Sequence, residues 1–298
     1  MKRRKYFLII FVSMIVFSCF CFSTLYTQAS SYSETYKSFQ KLEDKVSFLA
    51  KSFKGEYSFI IKDAQKPFFE ISRGENRMYP AASLIKLPIS AVAFRAVKEK
   101  KVSLDDKFVI RAKDITGGSG IIKTMELPVS LTFQEIIEIM ISNSDNTATN
   151  KIIDILGYDY INKGFKKLGL RHTVLRRKMM DFSKRKKGVE NYTSASDIVY
   201  LLEKIYKEDL IDSESSQLML SFLSGQKIKD RIPKYLPRDI RIAHKTGLER
   251  GVVHDAGIIF TDKGDIVICV LTKKVKSYSS AKKFIARVSL ITYNDLYQ

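Results

Sequence analysis

Tyr79-Pro-Ala-Ala-Ser-Leu-Ile-Lys-Leu87 sets a serine and a lysine, Ser83 and Lys86, three residues apart just after a proline and at the head of an apolar run. If that run is a helix, residues i and i+3 share a face, and the amine comes within reach of the hydroxyl. A serine hydroxyl at its ordinary pKa is a weak nucleophile, and an adjacent base is one way to activate it. Spacing alone does not select this copy, because Ser-x-x-Lys recurs at Ser38, Ser183, Ser224, Ser279 and Ser280. What singles out Ser83 is its setting and two downstream tripeptides in fixed order, Ser144-Asp-Asn146 and Lys245-Thr-Gly247.

Outward from this stretch, the chain reads as helices between two strand-rich ends. Tyr36, Phe39, Leu42, Val46, Leu49 and Phe53 recur at helical spacing and predict an amphipathic helix over 33–53, ended by Gly55. Residues 56–62 and 67–72 alternate as a hairpin would. The apolar run after Ser83 predicts a helix to about Val97, with the lysines at 98–101 at its C-terminus, where the helix dipole favours cations. Residues 103–130 read as irregular, and Gly117-Gly-Ser-Gly120 as a turn, since it lacks the Lys-Ser/Thr ending of a phosphate-binding loop. Thr132-Phe-Gln-Glu135 has the form of a capping box opening a helix to Ser142. Further helices are expected to about Leu156, over 159–168, 194–207, 213–223 and 278–294. Strands are expected over 240–244, 252–261 and 266–273, the last two joined by a turn at Asp262-Lys-Gly-Asp265. The polar, basic stretch 171–193 predicts a long loop, and such loops inside compact domains are often functional. Strands joined by hairpins favour an antiparallel sheet. The fold class expected is α/β (α+β), a sheet from residues 30–80 and 236–298 flanked by helices, with a helical insertion over 81–235 and the site between them.

The chain has 298 residues and opens with four basic residues before Tyr6, followed by an uncharged run to Ser33. A basic n-region and an apolar h-region make a secretory signal, and Thr27-Gln-Ala29 offers a small-x-small cleavage site. The run to Tyr26 is also long enough to stay as a membrane anchor, and Val16-Phe-Ser-Cys19 faintly resembles a lipoprotein box. Residues 1–29 are therefore read as a signal peptide or signal anchor of an exported protein. With Cys19 and Cys21 in that segment, Cys269 alone remains, so no intramolecular disulfide is expected. Net charge is +19, or +15 without the four leading basic residues, which reads first as a lysine-rich solvated surface and, for a partner, suits anionic membrane or wall polymers better than nucleic acid. No Trp is present as a stacking platform and no nucleic-acid motif is visible. His172 and His254 lack metal-ligand spacing, so no metal and no cofactor are expected, and His244 reads as a packed strand histidine.

Ser-x-x-Lys, Ser-Asp-Asn and Lys-Thr-Gly in that order resemble the signature of class A β-lactamases and penicillin-binding proteins. The Pro-Ala-Ala lead-in and the strand–helix–strand layout extend the resemblance over nearly all of the chain after the signal. It is similar above all to class A β-lactamase-related serine hydrolases of low-GC bacteria, and the export reading then implies the outer face of a Gram-positive cell. The resemblance implies that Ser83 attacks a β-lactam carbonyl and that Lys86 takes its proton. Ser144 would relay a proton to the leaving nitrogen, and Asn146 would bond the substrate amide. Lys245 and Thr246 would bind the carboxylate, and Gly247 would let substrate lie against the strand. The oxyanion would sit on the backbone N–H groups of Ser83 and Leu248. Lys245 would also depress the pKa of a buried Lys86. Asp145 reads as structural. A β-lactam or a cell-wall peptide is the implied substrate, bound by a monomer.

The resemblance breaks at the loop. Class A β-lactamases carry a water-activating Glu in a Glu-x-x-Leu-Asn pattern. Aligning Thr173–Phe182 on Leu175 and Arg177 puts Met179 at that position, and a thioether cannot accept a proton. Asp181 and Glu190 are the nearby acids. Acylation is expected to survive and deacylation to be impaired. That leaves open a slow β-lactamase, a penicillin-binding-type D,D-peptidase, transpeptidase or esterase, and a non-enzymatic β-lactam sensor.

Overall fold

The computed structural model describes residues 33–66 and 68–297. The signal or anchor reading, its cleavage site and Cys19 and Cys21 lie outside the described residues.

Five antiparallel strands form the central sheet in the order β2-β1-β9-β8-β7. They are β1 (Glu56–Asp63), β2 (Glu70–Arg73), β7 (Ile242–Glu249), β8 (Val252–Ile259) and β9 (Ile266–Lys273). β9 is apolar without interruption from Ile266 to Leu271 because both its faces are covered. On β9, Val267, Cys269 and Leu271 join one core cluster, while Ile266, Ile268 and Val270 join the other. The second cluster is closed by α1 (33–51) and α9 (Tyr278–Tyr297), through Phe39, Leu42, Val46, Phe284, Ile285 and Val288. Each such side chain, fully buried, contributes about 1.5–3 kcal/mol. The expected helix over 33–53 ends two residues early. Tyr36 is exposed rather than in its apolar stripe, while Phe53, past the helix end, stacks on Phe284 at 4.5 Å.

The helical layer lies on the first cluster. It comprises α2 (Lys86–Lys98), α3 (Phe133–Ser142), α4 (Asn146–Leu156), α5 (Tyr158–Lys167), α7 (Ala195–Tyr206) and α8 (Ser213–Ser224). Helix α2 is buried on nearly all sides, as its near-continuous apolar sequence requires. The capping box forms as expected: Thr132 Oγ1 accepts from Glu135 N–H, and Glu135 Oε2 accepts from Thr132 N–H at 2.7 Å. One expectation is corrected. Residues 103–130 are not wholly irregular, because β4 (Lys107–Ile110) pairs with β5 (Val129–Thr132) in a small separate sheet. These four-residue strands bury only Ile110 and Leu131, too few apolar positions to show a period in sequence.

Two short strands anchor the stretch before Ser83. β3 (Tyr79–Pro80) pairs with β6 (Tyr192–Thr193) at the end of the long loop, and Ala81 N–H bonds Asn191 O at 2.8 Å. The loop also holds the short helix α6 (Phe182–Lys186). Strand β7 begins two residues later than expected and continues to Glu249, so Lys245-Thr-Gly247 lies within the strand, at one edge of the sheet.

Candidate active site

Ser83 sits in a single 3-10 turn, Ala82–Ile85, that runs directly into α2. Ala82 has a φ of 45°, a left-handed conformation that costs an alanine about 1–2 kcal/mol. It is held there by its surroundings. Pro80 O accepts from His254 Nε2 at 2.8 Å, while His254 Nδ1 accepts Thr272 N–H, so β8 and β9 fix the residues leading into the turn. Burial pulls the His254 pKa down to about 4, which keeps this ring neutral and its tautomer fixed. Gly247 packs closely from the same side. A Cβ there would stand 3.1 Å from the His254 ring and 3.4 Å from Ala81 O, so a side chain would make the ring or the Ala81 carbonyl give by a few tenths of an ångström.

Ser144 lies between α3 and α4 with φ of 53°. Asp145 is the N-cap of α4: one carboxylate oxygen accepts Ala148 N–H and the other Ile122 N–H, both at 2.9 Å. This is the structural role expected of it. Gly120 makes room for it, with φ of 129° and a carboxylate oxygen 2.1 Å from where a Cβ would be. The glycine turn therefore does more than reverse the chain. Gly117 O accepts from Asn146 Nδ2 at 2.9 Å, Ser119 Oγ donates to Ser144 O at 2.9 Å, and Gly118 and Ser119 line the cavity at Ser83.

Ser144 Oγ stands 2.8 Å from Lys245 Nζ and 3.3 Å from Lys86 Nζ. Both amines are fully buried. The Lys86 amine donates to Ser144 O at 2.5 Å and to Asn146 Oδ1 at 2.8 Å, and no hydrogen bond joins it to Ser83 in this state. Sequence spacing brings the two residues onto one helix start, but the amine's partners come from the α3–α4 junction. Burial, reinforced by the Lys245 charge and opposed by Asp145, holds Lys86 well below the usual lysine range. Burial also lowers Lys245 to about 7, with Asp255 opposing and Arg231 assisting.

The cavity beside these groups measures about 250 Å³ and takes in Ser83, Ser144, Asn146, Thr246 and Leu248. Met179, Met180, Phe182 and Ile228 give it apolar walls. Met179 is fixed by Asn150, which accepts its N–H at 2.8 Å and donates to its O at 3.2 Å. Asp181 and Glu190 do not line the cavity. Asp181 caps α6 by accepting Lys184 N–H at 3.0 Å. Glu190 is buried against Arg177, 2.8 Å from Nε and 2.6 Å from Nη2. Burial and the neighbouring Glu249 raise the Glu190 pKa. The carboxylates that do line the cavity are both ion-paired: Glu249 with Arg177 and Arg185 at 2.8 Å each, and Asp230 with Arg231 at 2.9 Å and Lys282 at 2.6 Å.

Arg231 is the residue that sequence reading missed. It is buried, lines the cavity and keeps its Nε without a partner. Nothing in sequence separates it from the many surface cations of this basic chain. His244 pairs with Asp255 at 2.9 Å, the packed strand histidine expected. His172 lies 3.7 Å from Asp197, and among the described residues no cluster of His, Cys, Asp and Glu is arranged to hold a metal. Cys269 is a free thiol in β9 whose pKa burial pushes up, which suppresses thiolate chemistry.

An antiparallel sheet beneath a helical layer, with a serine at a helix start and two buried amines around a second hydroxyl, defines the class of serine hydrolases that work through an acyl-enzyme. The chain belongs to the Beta-lactamase enzyme family, whose model matches residues 41–296. It is 29% identical to Beta-lactamase AER-1 of Aeromonas hydrophila over 227 residues, 74% of each chain. The structure is similar to the beta-lactamase of Sphaerobacter thermophilus, with a TM-score of 0.78, 28% identity and coverage of 88% of this chain and 97% of that one. It is equally similar to a mutant of PBP-A solved as an acyl-enzyme complex with penicillin G, with a TM-score of 0.77, 28% identity and coverage of 86% and 96%. The protein is a β-lactamase-like serine hydrolase.

Proposed function

We propose that Ser83 is the residue acylated, that β-lactam amides are its substrates, and that the acyl-enzyme is released slowly. The observation that carries this reading is the hydroxyl of Ser144 held between two buried amines, 2.8 Å from Lys245 and 3.3 Å from Lys86. Lys86, its pKa lowered by burial, takes a proton from Ser83 as the Ser83 Oγ–carbon bond forms. The carbonyl oxygen gains charge and rests on the backbone N–H groups of Ser83 and Leu248. Lys86 returns the proton through Ser144 to the leaving nitrogen as the carbon–nitrogen bond breaks. Lys245, Thr246 and the guanidinium of Arg231 hold the substrate carboxylate. Asn146 already bonds Lys86 and Gly117, so its second Nδ2 proton is the one left for the substrate amide.

Hydrolysis of the ester then needs a base for water. Met179 lines the same cavity as Ser83, and the two carboxylates on the cavity wall are engaged in ion pairs. These features support slow deacylation. They equally favour a second reading, a penicillin-binding-type D,D-peptidase or esterase whose natural acyl group is a cell-wall peptide, and the likeness to PBP-A supports it. A β-lactam sensor would be the limiting case of the same chemistry. Export rests on the N-terminal sequence. Among the described residues no helix is long and apolar enough to cross a membrane. The 81–235 insertion packing over the terminal sheet is the arrangement we propose for the two units.

Intact-protein mass spectrometry with benzylpenicillin, sampled from seconds to hours, tests the proposal. We expect a stoichiometric adduct on Ser83 that decays slowly, with hydrolysed penicillin accumulating. Ser83→Ala removes both adduct and turnover, and full activity in that variant overturns the assignment. A permanent adduct with release of D-alanine from stem-peptide mimics selects the peptidase.

A further inference from the structure

Three charged side chains meet in the lining of the Ser83 cavity: Asp230 and Arg231, from the segment between α8 and β7, and Lys282 of α9. Arg231 Nη1 donates to one oxygen of Asp230 at 2.9 Å, and Lys282 Nζ stands 2.6 Å from the other. The three differ in burial. The Arg231 side chain is 1% exposed, while those of Asp230 and Lys282 keep 39% and 27% of their surface. The chain beside Arg231 is fixed from below, because Ile232 is buried and donates its N–H to Asp255 of β8 at 3.0 Å.

A guanidinium does not deprotonate in a protein, and a buried charge without a partner is strongly destabilising. Among the described residues, Asp230 is the carboxylate paired with Arg231. In the proposed function the same guanidinium holds the substrate carboxylate. Two anions then contend for one buried cation, and like charges brought together at a binding surface cost affinity. The other carboxylate on the wall does not contend, since Glu249 is held by Arg177 and Arg185. Lys282 gives Asp230 a place to go: it already holds the second oxygen and keeps it as the first is released.

We infer that Asp230 is a stand-in counter-ion, which occupies Arg231 in the free protein, yields it to the substrate carboxylate and stays on Lys282. It is a positioning residue acting through Arg231, and it sets how strongly the site favours acyl donors that carry a carboxylate. The inference rests on the carboxylate contact of the proposed function. Stopped-flow acylation of the full-length protein tests it, with benzylpenicillin as the anionic donor and benzylpenicillin methyl ester as the neutral one. Asp230→Asn keeps an acceptor for Arg231 Nη1 and removes the charge. It lowers the half-saturating concentration of benzylpenicillin by about fivefold, the upper range for a partly exposed ion pair, and leaves that of the ester within about twofold. The limiting rate constant moves far less than the half-saturating concentration. Asp230→Ser, which also removes the charge, acts in the same direction. Lys282→Gln raises the half-saturating concentration of benzylpenicillin in the parent chain and has little effect beside Asp230→Asn, because Lys282 acts by holding Asp230. No tightening in either Asp230 variant, with the ester still acylating both to show that they fold, overturns the inference. An equal Lys282→Gln effect in both backgrounds also overturns it, by making Lys282 a direct ligand. Failure of the proposed function is seen in the parent chain instead, as no adduct at all or as equal half-saturation by benzylpenicillin and its ester.

Discussion

Lys86 and Lys245 approach one hydroxyl from two sides, and each is fully buried. Two ammonium ions cannot both be retained cheaply in that space, since burial and like charge each disfavour the charged form. Each amine is therefore held below the usual lysine range, Lys86 by burial and the Lys245 charge, Lys245 by burial to about 7.

Acylation should show a bell-shaped pH profile. As pH falls through the lowered pKa of Lys86, the base protonates and the rate drops. As pH rises through about 7, Lys245 loses the charge that, in the proposed function, holds the substrate carboxylate. Second-order acylation rates with benzylpenicillin between pH 5 and 10, over the range of about one to two decades that a single titration allows, check this. Lys245→Arg moves the alkaline limb upward, because guanidinium does not titrate there. An unmoved limb assigns it to another group.

The same lysines make the fold more stable in alkali. Unfolded, Lys245 binds a proton up to about pH 10.4; folded, it releases it at about 7. Between those limits the unfolded state binds more protons, so unfolding free energy rises with pH, and below 7 the penalty is constant. Urea midpoints should therefore climb from pH 7 to 10. Lys245→Met should raise the midpoint at pH 7 and flatten the climb. An equal slope in the variant would assign the climb to the surface charges.

Met179→Glu should restore what the loop lacks. Asn150 fixes the backbone at this position, so the new carboxylate would face the cavity. General-base catalysis is worth about 10²–10⁴-fold. We expect decay of the penicillin adduct to accelerate by about 10²-fold with acylation little changed, measured by stopped-flow followed by mass spectrometry.

Glu190→Gln tests the clamp on the loop. Removing one member of a buried ion pair typically costs about 3–5 kcal/mol, and Arg177 keeps Glu249 as a second partner. A loss near 3 kcal/mol by urea unfolding is expected, with slower acylation as Met179 and Phe182 lose their fixed wall. A neutral variant would mean that Glu249 alone holds the loop.

Much of this was legible before any coordinates. Ser83, Ser144 and Lys245 are marked in order by short motifs, and β9 reads as an uninterrupted apolar run because both its faces are buried. The hidden parts are those where the constraint is spatial. Arg231 looks like any cation of a +19 chain until its burial is seen. The Gly117–Gly120 turn reads as punctuation, yet Gly120 exists to admit the Asp145 carboxylate. The glycine of Lys245-Thr-Gly247 is explained by His254 and Ala81, which are distant in sequence. Lys86 takes its partners from residues 58 and 60 positions away, which no local spacing reveals.

β7 has a neighbour on one side only. An unpaired strand edge is ordinarily a hazard, a template on which stray chains aggregate. Here the helical layer shelters it, and the opening left is about the size of one small molecule. If the proposed function holds, a substrate bearing an amide would in effect be recruited as a sixth strand of a sheet left unfinished. On that reading peptide and β-lactam would be recognised alike through backbone pairing, and the outcome would turn on how soon the borrowed strand is let go.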